Sequence, residues 1–254
     1  RRSRAGAVRA RALRRAKRSK PSIASSTLRA ATGVRSVVSA PTVPRPGYGA
    51  RAGAALIGTG VVQFVVANVV VQSRYAGYSL LSNYISDLGN TATSPLHVVF
   101  NVSIALLGIF AFVGIALSWG AFPRGGTRVV GLPLLLVASI AAILVGAVPE
   151  NANPPVHDFV SLMVFLPGGL ALVVLAAGMR VGSWEWLRWG SLLLGAVTLL
   201  SLAYYVPTQA NNSTIDPGLI ERLIVAPILI WGFAAAVQIA RVSRAPRAVR
   251  FTPG

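Results

Sequence analysis

The chain has no cysteine, which excludes disulfides, thiolate metal sites and cysteine nucleophiles and removes cysteine usage as a guide to redox compartment. Acid is scarce, with six Asp and Glu against 24 Lys and Arg, and there are only two histidines. Charged residues make up 12% of the 254 positions and hydrophobic ones 54%, and the mean hydropathy is +0.65. That balance lies outside the soluble norm. The hydrophobicity comes in long uncharged runs rather than as periodic faces, so the chain reads as membrane-spanning.

The net charge of +18 looks like a nucleic-acid signal until it is mapped. Fourteen of the 24 basic residues fall in residues 1–51, which contain no acid. Such blocks are disordered arms, and this one flanks a membrane span, so no specific nucleic-acid binding is expected. Residues 1–52, rich in Arg, Ala and Ser and closing on PTVPRPGYG, are expected to be a disordered cytoplasmic tail near anionic lipid. The first residue is Arg rather than Met, so the leader reads either as native tail or as a fragment or over-extended start, and its composition also fits a transit peptide. Residues 53–241 then form the membrane domain and 242–254 a second basic tail.

Six spans are predicted. The first is Ala54–Gln72, an uncharged run long enough for about 28 Å of helix. Tyr78–Gly89 reads as a short interfacial helix, with Leu81, Ile85 and Leu88 at helical spacing and Gly89 as its cap. Ser94-Pro95, Asn153-Pro154-Pro155 and Asp216-Pro217 are cap-then-proline starts for the second, fourth and sixth spans. The third runs from Val129 to Val148, and the fifth from about Trp189 to Val206, after a connector whose tryptophans form an interfacial belt. The fold class is an all-α, six-span membrane bundle.

With both termini cytoplasmic in the cell membrane, 22 basic residues lie inside, leaving only Arg74 and Arg222 outside. The carboxylates do the opposite: Asp87, Glu150, Asp158, Asp216 and Glu221 lie outside with His97 and His157, and only Glu185 lies inside. Val148–Asn153 echoes Val206–Asn211 at four of six positions, a match short enough to arise by chance or to mark a repeated hairpin.

An outward-facing pocket is therefore expected from Asn83, Ser86, Asp87, His97, Asn101, Glu150, His157, Asp158, Glu221 and Arg222. Three uses are open. His97, His157 and Asp87 are a sensible first shell for a divalent ion such as zinc, with Glu150 or Asp87 as catalytic carboxylate in a hydrolase acting on a lipid or amide. A serine nucleophile at Ser86, Ser94 or Ser161 lacks an elbow motif. Ion-coupled transport is disfavoured because no span carries a carboxylate near its centre. Taken singly, each polar residue is cheapest as a helix-end or interfacial group, and the clustering is what favours a shared pocket.

NYISDLGNTATSPLHVVFN, LVGAVPENANPPVHDF and GLIERLIVAPILIW together resemble a bacterial and archaeal integral-membrane family known as domain of unknown function 998, over about residues 52–241. The resemblance implies recurring positions at Asn83, Ser86, Asp87, Leu88, Gly89, Phe100, Asn101, Gly146, Pro149, Glu150, His157, Glu221 and Arg222. Val148 stands where the pattern implies Phe. It implies six helices and no particular reaction. The expected function is binding or moving a lipid or small solute at the outer leaflet, with a metal-assisted hydrolase and a structural subunit as the alternatives.

Overall fold

A computed structural model describes residues 47–180 and 182–244. Of the expected tails, 1–52 and 242–254, residues 1–46 and 245–254 lie outside the described residues, and Val242–Arg244 belong to the last helix. Six helices follow in order: α1 Tyr48–Arg74, α2 His97–Ser118, α3 Gly126–Ala147, α4 Pro154–Gly178, α5 Glu185–Ala210 and α6 Pro217–Arg244. All six are long and apolar enough to cross a membrane. The shortest, at 22 residues, spans about 33 Å at 1.5 Å per residue, matching a hydrocarbon core of about 30 Å. The protein is a multi-pass integral membrane protein.

Each helix packs against its neighbours in sequence, and α6 closes back on α1, so the bundle is a ring with a light α4–α6 contact across it. Between apolar helices in lipid, association rests on close packing rather than on hydrophobic drive, which favours glycine at the crossings. A Cβ on Gly53 of α1 would lie 2.5 Å from the Gly114 carbonyl of α2, and one on Gly146 of α3 would lie 2.4 Å from the Asn101 carbonyl. The outward faces carry large exposed aliphatic and aromatic side chains such as Val65, Val69, Ile109 and Phe112. A lipid-facing surface requires these.

At the end carrying Arg124, Arg128 and Arg188, indoles tie α5 to α6. Trp231 Nε1 donates to Ser191 Oγ at 2.7 Å, and Trp186 Nε1 donates to Gln238 Oε1 at 2.8 Å. The opposite end holds the segments joining α1 to α2, α3 to α4 and α5 to α6, and is called here the polar end.

Three expectations change. Tyr48–Ala52 belong to α1 rather than to the tail. Tyr78–Gly89 is not a helix but a run of turns ending in one 3₁₀ turn at Ser86–Gly89. α5 runs through Pro207 to Ala210, whereas α3 stops at Ala147 before Pro149. The echoed hexapeptides therefore occupy different local structures, and the repeat has no structural counterpart.

Candidate functional site

The loop after α1 is built around one carboxylate. Asp87 Oδ2 accepts from Tyr84 N at 2.9 Å and from Asn83 Nδ2 at 3.0 Å, while Asn83 Oδ1 accepts from Ser79 N at 3.0 Å. These bonds fold the segment on itself. Burial raises the Asp87 pKa above its ordinary value, and the adjacent Glu150 carboxyl raises it further, against the opposing bonds from Asn83 and Tyr84. Glu150 Oε1 in turn accepts from Asn90 Nδ2 at 3.2 Å, and Thr91 and Asn151 exchange two bonds of 3.0 and 2.9 Å. The α1–α2 and α3–α4 connections are thereby clipped together.

The same loop is sewn to the start of α6. Arg222 Nη1 donates to the carbonyls of Asn83 at 2.9 Å and Gly218 at 2.7 Å, and Nη2 donates to Tyr78 Oη at 2.6 Å. Tyr78 Oη in turn donates a hydrogen bond to the Tyr84 carbonyl at 2.8 Å. Burial pushes the Tyr78 phenol up to about 12 despite the guanidinium, so it stays neutral. Ile85 N donates to Glu221 Oε2, and Leu219 N donates to the Leu81 carbonyl at 3.2 Å. Gly218 permits this approach, because a Cβ there would lie 2.2 Å from the Asn83 carbonyl oxygen.

Under this cover lies a cavity of about 330 Å³ between α4, α5 and α6. Ser86, His157, Asp158, Ser161, Gln209 and Glu221 supply its polar lining, and Phe159, Leu162, Phe165 and Leu202 its apolar one. His157 and Glu221 are 6% and 8% exposed, so both are buried groups on the inner wall of a space whose outer rim, at Asp158, Phe159 and Val206, is open. His157 Nδ1 lies 2.8 Å from the Val148 carbonyl. A carbonyl only accepts, so Nδ1 carries a proton, and Nε2 has no partner among the described residues. Tyr84 Oη donates to Gln209 Oε1 at 2.6 Å, tying loop to α5 at the cavity rim. The family assignment rests on sequence that spans this whole arrangement: residues 58–238 match the family described as Protein of unknown function (DUF998). The chain belongs to that family. Among curated proteins and among solved structures, none matches it.

In this DUF998 bundle the expected site residues divide into three groups. Ser86, His157, Asp158 and Glu221 meet on the cavity. Asn83, Asp87, Glu150 and Arg222 form the clamp that holds the loop over it. The other two serve backbone: His97 Nδ1 lies 2.9 Å from the Ser94 carbonyl at the first turn of α2, and Asn101 Nδ2 donates to the Gly89 carbonyl at 3.0 Å. The zinc set of His97, His157 and Asp87 is not assembled. Among the described residues no three His, Asp or Glu side chains are grouped as ligands of one ion, and the ring Nδ1 of each histidine faces a different carbonyl.

Sequence reading missed Tyr78, Tyr84, Tyr205 and Gln209. The signal available was polar aromatic residues clustering within four positions of the polar-end turns, where phenols find partners at an apolar–polar boundary.

Proposed function

We propose that this DUF998 protein is a non-enzymatic binder or carrier of a lipid or small solute, taken up at the outer face of the cell membrane. The observation that carries the reading is the 330 Å³ cavity at the polar end, a size at the lower end of ligand pockets, which run about 300–1,000 Å³. Its lining combines polar side chains with aromatic and aliphatic ones. Binding is favoured over hydrolysis because Ser86 and Ser161 line the cavity with His157, yet neither hydroxyl is hydrogen-bonded to it among the described residues, as a nucleophile and base would be.

The outward orientation is supported by charge. Arg51, Arg124, Arg128, Arg180, Arg188, Arg241 and Arg244 sit at one end, and only Arg74 and Arg222 belong to the other, the asymmetry of a chain with cytoplasmic termini. The basic segments at 1–46 and 245–254 would then meet anionic lipid on the inner leaflet.

The test is thermal stability of the protein in nanodiscs against a panel of lipids and solutes, beside Ser161→Trp, which fills the cavity. A ligand at about 100 times its Kd is expected to stabilise the wild type by about 2.7 kcal/mol and to leave Ser161→Trp unmoved. Equal stabilisation of both proteins contradicts the reading. Orientation is checked by single cysteines at Asn151 and Arg124 in this cysteine-free chain. Asn151→Cys should react with an impermeant maleimide on intact cells, and Arg124→Cys should not.

A further inference from the structure

Two smaller spaces follow the cavity along α6, each sharing part of its lining with the one before. A second space of about 80 Å³ adjoins the cavity, sharing Ser86, His157, Ser161, Phe165 and Glu221 with it. A third, of about 100 Å³, adjoins the second through Leu107, Ala142, Val164, Ile228 and Leu229 and reaches Ile57, Trp231 and Ala235. Along α6 the linings run from Glu221 to Ala235, a rise of about 21 Å at 1.5 Å per residue. That is longer than the reach of one leaflet, about 15 Å for half a hydrocarbon core. The inner two spaces are apolar apart from Ser139 and the shared polar residues.

The polar mouth has a definite hydrogen-bonding sense. Glu221 Oε2 accepts from Ile85 N, while no described residue donates to Oε1. His157 Nε2 has no partner among the described residues, and in the tautomer set by the Nδ1 bond to Val148 it accepts. Ser86 and Ser161 Oγ make no hydrogen bond among the described residues and line both outer spaces. No lysine or arginine lines any of the three spaces. The nearby guanidinium of Arg222 is committed to Asn83, Gly218 and Tyr78. A buried anion would stand here beside Glu221 and Asp158, with that one guanidinium, which lines none of the three spaces, as the nearest countercharge for all of them.

We infer that the ligand is a long-chain amphiphile whose head bears hydroxyl or amino donors and no negative charge. Its head is held by Glu221, His157, Ser86 and Ser161, and its alkyl chain lies inside the bundle towards Trp231. The inference rests on the binding reading above and narrows it to one chemical class.

The experiment uses the full chain in phosphatidylcholine nanodiscs with two 18-carbon probes carrying a mid-chain diazirine, one a monoacylglycerol and one a fatty acid. Cross-linked peptides are mapped by mass spectrometry. The monoacylglycerol is expected to label Leu107, Val164 or Ile228, to be displaced by excess unlabelled monoolein, and to lose that labelling in Ala142→Phe, which blocks the chain path. The fatty acid at pH 8 should label those sites at least about tenfold less, since a tenfold change is about 1.4 kcal/mol and an unpaired buried charge costs more. Equal, competable labelling by both probes at the interior sites overturns the head-group inference while the binding reading stands. Labelling confined to lipid-facing residues such as Val65 and Phe112, indifferent to competitor, overturns both. The selectivity of the wild type decides the matter even if Ala142→Phe fails to fold.

Discussion

Gly218→Ala tests how the loop is held over the cavity, because it deletes no bonding group. The new methyl would lie 2.2 Å from the Asn83 carbonyl oxygen and 2.9 Å from Arg222 Nη1. The first contact is with backbone and has to open by about 1 Å to reach ordinary packing distance, which small-to-large changes in packed sites price at about 1–3 kcal/mol. Opening it also loosens the bonds from Arg222 to Asn83, from Ile85 to Glu221 and from Leu219 to Leu81, all of which cross the same seam. At about 2–4 °C per kcal/mol for a chain of this size, a loss of about 2 kcal/mol lowers the Tm by about 4–8 °C. Tryptophan fluorescence in nanodiscs reads the melting, and maleimide labelling of Ser86→Cys reads the opening. Gly190→Ala on α5 is the control: its Cβ meets nothing within 4 Å, so helix propensity makes it neutral or stabilising by up to about 1 kcal/mol. A Gly218→Ala protein with unchanged Tm and unchanged Ser86→Cys labelling would refute the docking described here.

Tyr78→Phe leaves Arg222 Nη2 without its acceptor and is expected to destabilise by about 1–3 kcal/mol in the same melt. Asn101→Ala removes the bond to the Gly89 carbonyl, at a cost of about 1 kcal/mol, with no loss of ligand-dependent stabilisation. The pKa of Asp87 is raised above its ordinary value of 3.8 in the fold, so the folded state binds the extra proton. Its contribution is most favourable below that value and is lost as pH rises through the folded pKa. The Tm of wild type minus that of Asp87→Asn should therefore fall from pH 4 upward, and a difference that rises with pH would reverse the assigned sign. Because His97 and His157 each face their own carbonyl, added zinc is expected to leave the Tm unchanged. A zinc-dependent rise abolished by either His97→Ala or His157→Ala would show that the two rings converge.

The spans were legible because each is a long uncharged run, and the proline starts held where the local chemistry is complete. Asn153 Oδ1 accepts from Val156 N at 3.3 Å with Pro154 at the first helical position, as a cap should. Tyr78–Gly89 was misread because its apolar spacing suits a helix while its backbone is claimed elsewhere. The Leu81 and Asn83 carbonyls and the Ile85 amide are taken by Leu219, Arg222 and Glu221 of α6. No pattern within the segment reveals partners some 136 residues away. The polar layer was legible as a layer, since both histidines and most carboxylates sit at one end. Its division into clamp and cavity was not. It depends on which face of each helix turns inward, and α5 brings Gln209 to the cavity beside Tyr205 because it continues through Pro207. A proline in a membrane helix is tolerated when neighbouring groups satisfy the freed backbone.

A lipid or small solute held in the polar-end cavity of this DUF998 protein should leave the membrane with it. Native mass spectrometry of the full chain, released from nanodiscs made of the host membrane, tests it most directly beside Ser161→Trp. A bound species of reproducible mass is expected on the wild type and is missing from the folded variant. The same adduct on both proteins, or none on either, would contradict it.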